Sequence, residues 1–142
     1  MNTLPLFFNL HNKTVLIIGG GDIAYRKAQL MAKAKAKLVV IAKHFKAEFL
    51  DFLQSHHHAS LQKSFEPTDL NEHAPALVIG ATDDYEVNLT IHRASKAYGV
   101  PVNIVDTPDL CDYIFPAIVD RNPLVSGVTS TGKAPVHARL SR

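Results

Sequence analysis

The chain has 142 residues, 46% hydrophobic, 20% charged and 8% aromatic, with a net charge of +2 when its histidines are neutral. That length and balance suit a globular core and exclude disorder or a fibrous repeat, and the apolar runs fall far short of the roughly 18–20 residues of a membrane span. Scattered lysines and arginines without a basic, aromatic-laced stripe argue against nucleic acid, and the single cysteine, Cys111, fits a reducing cytoplasm.

In chain order, "MNTLPLFFNLHNK" carries a short apolar patch without the basic flank and cleavage site of a signal peptide. "TVLIIG" is a continuous β-branched run, the pattern of a strand buried on both faces of a parallel sheet. After Gly19, Gly20 and Gly21, "DIAYRKAQLMAKAKA" reads as a helix, with Ile23, Ala24, Ala28, Leu30 and Met31 near a helical period. "KLVVIA" is a second strand, "AEFLDFLQS" an amphipathic helix and "ASLQKSF" a weaker third strand. "ALVIGATDD" repeats the strand-then-turn design. "YEVNLTIHRASKAYG" is a helix closed by Gly99, and "VPVNIVD" is a fifth strand.

Strands alternating with helices predict an α/β protein whose first domain, residues 1–112, is a Rossmann-like, doubly wound parallel sheet with right-handed crossovers. Beyond Asp106 the pattern changes. "YIFPAIVDRNPLVSGVTS" reads as two extended pieces joined at "DRNP", and "APVHARLSR" as the first turns of a helix. Residues 113–142 are therefore expected to form a short β-rich segment and the start of a helix, with apolar strands that need a partner. A helix that runs to the last residue suggests a piece of a longer protein.

Gly19, Gly21 and Ala24 form a G-x-G-x-x-A stretch directly after the first strand. The first glycine allows a tight turn, the second lets backbone approach a pyrophosphate, and the small third residue lets helix and strand pack closely. Backbone N–H groups and the positive helix end then hold the phosphates. The context, strand into glycines into helix, makes this a dinucleotide site. An acid at the end of the second strand would grip the ribose of NAD, but Lys43 and His44 stand there, either solvated or tolerant of the NADP phosphate.

Other residues carry two readings each. Asp83 or Asp84 caps the next helix or faces the ligand crevice, and Asp106 is either a turn residue or a general base at the crevice edge. "TSTGKAP", residues 129–135, caps a helix or binds an anion. "HHH" at 56–58 reads as a solvated tract, so no metal site is expected, and Cys111 as a small buried filler.

The stretches "GGGDIAYRK", "ATDD", "NIVD" and "FPAIVDRNPLVSGVTSTGKAP" occur together, in the order found in the N-terminal region of siroheme synthases. The chain thus resembles the precorrin-2 dehydrogenase/sirohydrochlorin ferrochelatase family over essentially its whole length. That resemblance implies NAD-dependent oxidation of precorrin-2 to sirohydrochlorin, then insertion of Fe²⁺, a substrate, to give siroheme. It implies a catalytic role for Asp106 and NAD contacts at Gly21, Asp22, Ile23, Lys43 and His44, adding to Gly19 of the loop. It places Ser130, a phosphorylatable serine, and Lys133 beside the tetrapyrrole, with Lys133 and Arg139 as counter-charges to its carboxylates. It also implies a homodimer built by the tail.

Two departures stand out. Lys35 occupies a turn position where relatives often carry glycine, and "STGKAP" lacks the second glycine and the serine usual before the proline. The family's closing helices and fused methyltransferase would lie beyond Arg142. A dehydrogenase without chelatase activity, and a non-catalytic nucleotide-binding module, are the alternative readings.

Overall fold

Five parallel strands form the sheet that positions the site. In the computed structural model, which describes residues 2–122 and 124–129, they are β1 (Thr14–Ile18), β2 (Lys37–Ala42), β3 (Ala59–Gln62), β4 (Leu77–Gly80) and β5 (Val102–Ile104). Their spatial order is β3-β2-β1-β4-β5, with Ile18 opposite both Ile41 and Gly80. β1 is central, and its Val15, Leu16 and Ile17 have no exposed surface. This is why the sequence there shows an unbroken apolar run rather than an alternation.

Four α-helices connect the strands: α1 (Asp22–Lys33), α2 (Ala47–Ser55), α3 (Thr68–His73) and α4 (Tyr85–Tyr98). Buried Ala24, Ala28 and Met31 give α1 a core-facing stripe of mostly small residues, so that it packs close to the sheet. One core cluster joins Leu16, Ile18, Ile41, Leu70, Val78, Ile91, Val102 and Ile104. Burial of such a side chain contributes about 1.5–3 kcal/mol.

The ends of these elements differ from the sequence reading in four places. α1 stops at Lys33, and Lys35 takes a left-handed φ of 66° to turn into β2. A glycine would adopt that conformation without the cost of about 1 kcal/mol. β3, expected to reach Phe65, ends at Gln62 after a last ladder bond from the Lys63 N–H to the Ala42 carbonyl (3.0 Å). β5 ends at Ile104 rather than Asp106, because Asp106 itself turns left-handed, with φ 59°. The fourth difference is α3, six residues with no counterpart in the sequence reading.

Other expectations hold. Asp84 caps α4, its Oδ1 accepting from the N–H groups of Glu86 (2.9 Å) and Val87 (3.3 Å). Gly99 closes that helix with φ 94°. The histidine tract is not simply solvated. His58 Nδ1 accepts the Leu38 N–H (3.2 Å), and burial, followed by the nearby His56 and His57, lowers the His58 pKa below its ordinary value.

The chain divides into two compact units: Asn9–Asp112, and a second that groups residues 2–8 with those from Tyr113 onward. In the second, β6 (Ala117–Arg121) and β7 (Leu124–Val128) form an antiparallel hairpin, with Arg121 opposite Leu124. These are the two extended pieces expected around "DRNP". The helix expected from "APVHARLSR" lies outside the described residues. Among those described, no helix is long and apolar enough to cross a membrane.

Candidate functional site

The three glycines between β1 and α1 are not equivalent. Gly19 has φ 138°, and a Cβ on it would stand 2.3 Å from the Ala81 carbonyl oxygen. It leaves β1 between two neighbours, donating its N–H to the Ile41 carbonyl (2.9 Å) while Ala81 donates to Ile18 (2.8 Å). Gly20 lies against the loop after β2. A Cβ there would come 1.9 Å from the His44 carbonyl oxygen, and the Gly20 carbonyl accepts the Lys46 N–H (2.9 Å). The sequence reading gave Gly20 no role.

Gly21 is different again. Its φ of −95° is open to any residue, and a Cβ placed on it would meet nothing within 4 Å. No packing argument explains a glycine here. It is the N-cap of α1 without a side-chain cap, and the first helical bond runs from Tyr25 N–H to its carbonyl (3.0 Å). The N–H groups of the first turn are thus left for an outside acceptor. A bare position that faces open space beside uncapped amides at a positive helix end fits a dinucleotide pyrophosphate. Ala24, wholly buried, supplies the small third residue.

Around this loop lie the other residues read as cofactor contacts. Asp22 is exposed in the first turn of α1 and pairs with Lys46 Nζ (2.5 Å), whose pKa the bond raises. Ile23 is exposed on the same turn. Lys43 and His44 follow β2 directly and are exposed; the Lys43 carbonyl accepts from Gln62 Nε2 (3.0 Å). Through the Gly20–His44 contact the two loops meet at the carboxyl edge of the sheet, where ligands of doubly wound folds lie.

Asp106 stands at the same edge, on the turn after β5. The turn is held by the Thr107 N–H to the Ile104 carbonyl (3.1 Å) and by Cys111. The Cys111 Sγ accepts the Ile104 N–H (3.3 Å) and lies within donating reach of the Ile104 and Thr107 carbonyls (3.2 and 3.3 Å). Cys111 is therefore a clasp on the Asp106 turn rather than only a filler. After β4, buried Asn88 locks the "ATDD" turn, with the Thr82 hydroxyl on its Oδ1 (2.6 Å) and its Nδ2 on the Thr82 carbonyl (3.1 Å).

A cleft of about 390 Å³ lies between α1 and the Asp106 turn, lined by Ile23, Arg26, Lys27, Leu30, Val105 and Asp106. Its lining begins at Ile23, two residues after Gly21. Burial lowers the pKa of half-buried Lys27, Arg26 lowers it further, and the charge of Asp106 opposes both. The sequence reading includes Arg26 and Lys27 in the "GGGDIAYRK" stretch but gives them no role. Their spacing with Ile23 and Leu30, three and four residues to either side, was the available signal of a shared face. Ser130 and Lys133 lie outside the described residues.

The five-stranded parallel sheet, with its glycine loop opening a helix at the carboxyl edge, defines a Rossmann-like dinucleotide-binding protein. The chain belongs to the family described as "Putative NAD(P)-binding", whose model matches residues 6–117. It is 49% identical over all 142 residues to a siroheme synthase of Psychrobacter cryohalolentis, covering 27% of that protein. Against the siroheme synthase of Stutzerimonas stutzeri it is likewise 49% identical over its full length and covers 30%. It therefore spans less than a third of the length of these curated relatives. A solved structure, "SirC, precorrin-2 dehydrogenase", shares the fold with a TM-score of 0.78 at 22% identity, over 98% of this chain and 67% of that one.

Proposed function

We propose that this chain carries out the NAD-dependent oxidation of precorrin-2 to sirohydrochlorin in siroheme synthesis and takes part in the insertion of Fe²⁺ that follows. The observation that carries this reading is the 49% identity to siroheme synthase over every residue. The placement of the glycine loop and Asp106 at one sheet edge supports it.

NAD⁺, when bound, supplies the hydride acceptor. The amides at the start of α1 hold its pyrophosphate, with Gly21 leaving the space and Gly19 and Gly20 shaping the turn. Asp22, Ile23, Lys43 and His44 flank it; NAD is proposed over NADP on the likeness to siroheme synthase, although no acid follows β2 to grip the ribose. Oxidation removes a hydride and a proton from the macrocycle. Asp106, exposed at the cleft rim, accepts that proton. In iron insertion two pyrrole protons leave as Fe²⁺ enters, and the same carboxylate takes them one at a time, passing the first to water before accepting the second. Ser130 and Lys133 belong to this proposal as substrate contacts, and a homodimer as its assembly.

The test is NAD⁺ reduction followed at 340 nm with precorrin-2, and metal insertion followed spectrally with sirohydrochlorin and Fe²⁺. Both activities are expected. NADH formation without metal insertion would leave a dehydrogenase only. Absence of both reactions in the full-length protein would overturn the reading, and a strong preference for NADP⁺ would overturn the cofactor assignment.

A further inference from the structure

β5 is the outer strand of the sheet, with β4 on one side of it. The Pro101 carbonyl accepts from the Val78 N–H (3.0 Å) and the Val105 N–H donates to the Gly80 carbonyl (3.0 Å), so the backbone groups of Val102 and Ile104 turn outward. Two consecutive residues close that edge. Asp112 donates its N–H to the Val102 carbonyl (2.8 Å) and accepts the Val102 N–H on Oδ2 (3.1 Å), while its Oδ1 holds Lys96 Nζ of α4 (2.7 Å). Cys111 serves Ile104 with its side chain: Sγ takes the Ile104 N–H (3.3 Å) and reaches the Ile104 carbonyl (3.2 Å).

The remaining contact of that thiol falls on the Thr107 carbonyl (3.3 Å), so one sulfur ties together the residues on either side of Val105 and Asp106. Between them Asp106 is left-handed, with φ 59°, a conformation that a residue with a side chain keeps only where its surroundings fix it. Closing the strand edge does not require the Thr107 contact. Burial raises the pKa of the thiol, so it keeps its hydrogen for the two carbonyls. What the sulfur adds beyond edge protection is a constraint on the turn that carries the carboxylate.

We infer that Cys111 is a positioning residue for Asp106: its Sγ clasps Ile104 and Thr107 and so keeps the carboxylate at the cleft rim. The inference rests on the reading of Asp106 as proton acceptor and adds the group that holds it there. Without the thiol, residues 105–107 relax toward ordinary backbone, and a misplacement of about 1 Å costs a reaction on the order of 10²-fold in rate.

The test is a double-mutant cycle on the full-length protein, with NAD⁺ reduction by precorrin-2 as the rate and NAD⁺ titration as the control. Cys111→Ala should lower kcat roughly 10- to 100-fold and leave NAD⁺ affinity within about twofold of wild type. Cys111→Val, which fills the space without a hydrogen bond, carries the same expectation should the alanine protein not fold. Cys111→Ser, whose hydroxyl keeps a donor and an acceptor, should recover most of the rate. In an Asp106→Asn background, Cys111→Ala should change the residual rate by less than about twofold, because the group it positions is already gone. An equal loss in both backgrounds would make Cys111 a general support of the fold and overturn the inference, as would a wild-type rate in Cys111→Ala. Near-wild-type turnover by Asp106→Asn alone would instead overturn the proton-acceptor reading, and the inference with it.

Discussion

Replacing Gly21 by aspartate separates binding from folding at a single atom. The new side chain enters open space, since no protein atom lies within 4 Å of a Cβ there, and φ −95° with ψ −166° suits an N-cap aspartate. Stability should therefore hold within about 1 kcal/mol, or rise slightly as the carboxylate caps the free amides. Binding should behave oppositely. A like charge about 4 Å from a phosphate costs about 4 kcal/mol at an effective dielectric near 20. Part of this is offset by Lys46, already engaged with Asp22 on the same turn. A loss of NAD⁺ affinity of at least 100-fold is expected by fluorescence or calorimetric titration, with the thermal midpoint unchanged. The comparison is Gly20→Ala, where the methyl would stand 1.9 Å from the His44 oxygen and force the two loops apart against the Lys46–Gly20 hydrogen bond. Overpacking and the strained bond together cost about 2–4 kcal/mol, which lowers the midpoint of a unit of about 100 residues by roughly 9–18 °C. Unchanged affinity in the Gly21→Asp protein, or a loss that merely follows unfolding, would refute the phosphate assignment.

The remaining expectations concern catalysis, pH and assembly. Asp106→Asn should slow NAD⁺-dependent oxidation of precorrin-2 about 10²–10⁴-fold while leaving NAD⁺ affinity nearly intact, and near-wild-type rates would remove Asp106 from the chemistry. His58 accepts the Leu38 N–H only when neutral, and its folded pKa lies below the unfolded one. Its stabilisation is therefore complete above about pH 6.5 and lost as pH falls through the folded value. Melting curves between pH 7 and 5 should decline less steeply for His58→Gln than for wild type. Burial raises the pKa of the Cys111 thiol, so alkylation by iodoacetamide at pH 8 should run slower than in the denatured chain. Equal rates would show an open turn. On β7, Leu124 is 72% and Val125 49% exposed, which suits a dimer interface; light scattering at micromolar concentration should give twice the chain mass, and a monomer would refute it.

Much of the sheet was legible because β1, β2 and β4 are buried on both faces and so spell themselves as unbroken apolar runs. The glycine loop was legible because Gly19 and Gly20 stand where a Cβ would strike neighbouring backbone, which leaves a run of missing side chains directly after a strand. α3 was not. Six residues, "TDLNEH", make too few turns to display a period, and its limits are set by Pro67 and by left-handed Ala74. β5 looked longer than it is because "NIVD" reads as strand to its last letter. The left-handed turn at Asp106 depends on tertiary bonds, among them those of Cys111, seven residues from Ile104 in sequence. Arg26 and Lys27 were hidden for a similar reason. A helix-surface cation and a cleft cation have the same letters, and only the position of the β5 turn opposite them tells the two apart.

The contact between the Gly20 backbone and the His44 carbonyl bears on how cofactor choice can change. In doubly wound dinucleotide-binding folds the residues after β2 meet the adenosine ribose and distinguish NAD from NADP. Here that loop and the phosphate loop share a backbone seam with no side chain between them, and the Lys46–Gly20 hydrogen bond closes it. An insertion between Ala42 and Lys46 would therefore displace the glycine loop along with the residues after β2. On the cofactor placement proposed above, preference would be altered by side-chain exchange at Lys43 and His44 rather than by a change in loop length.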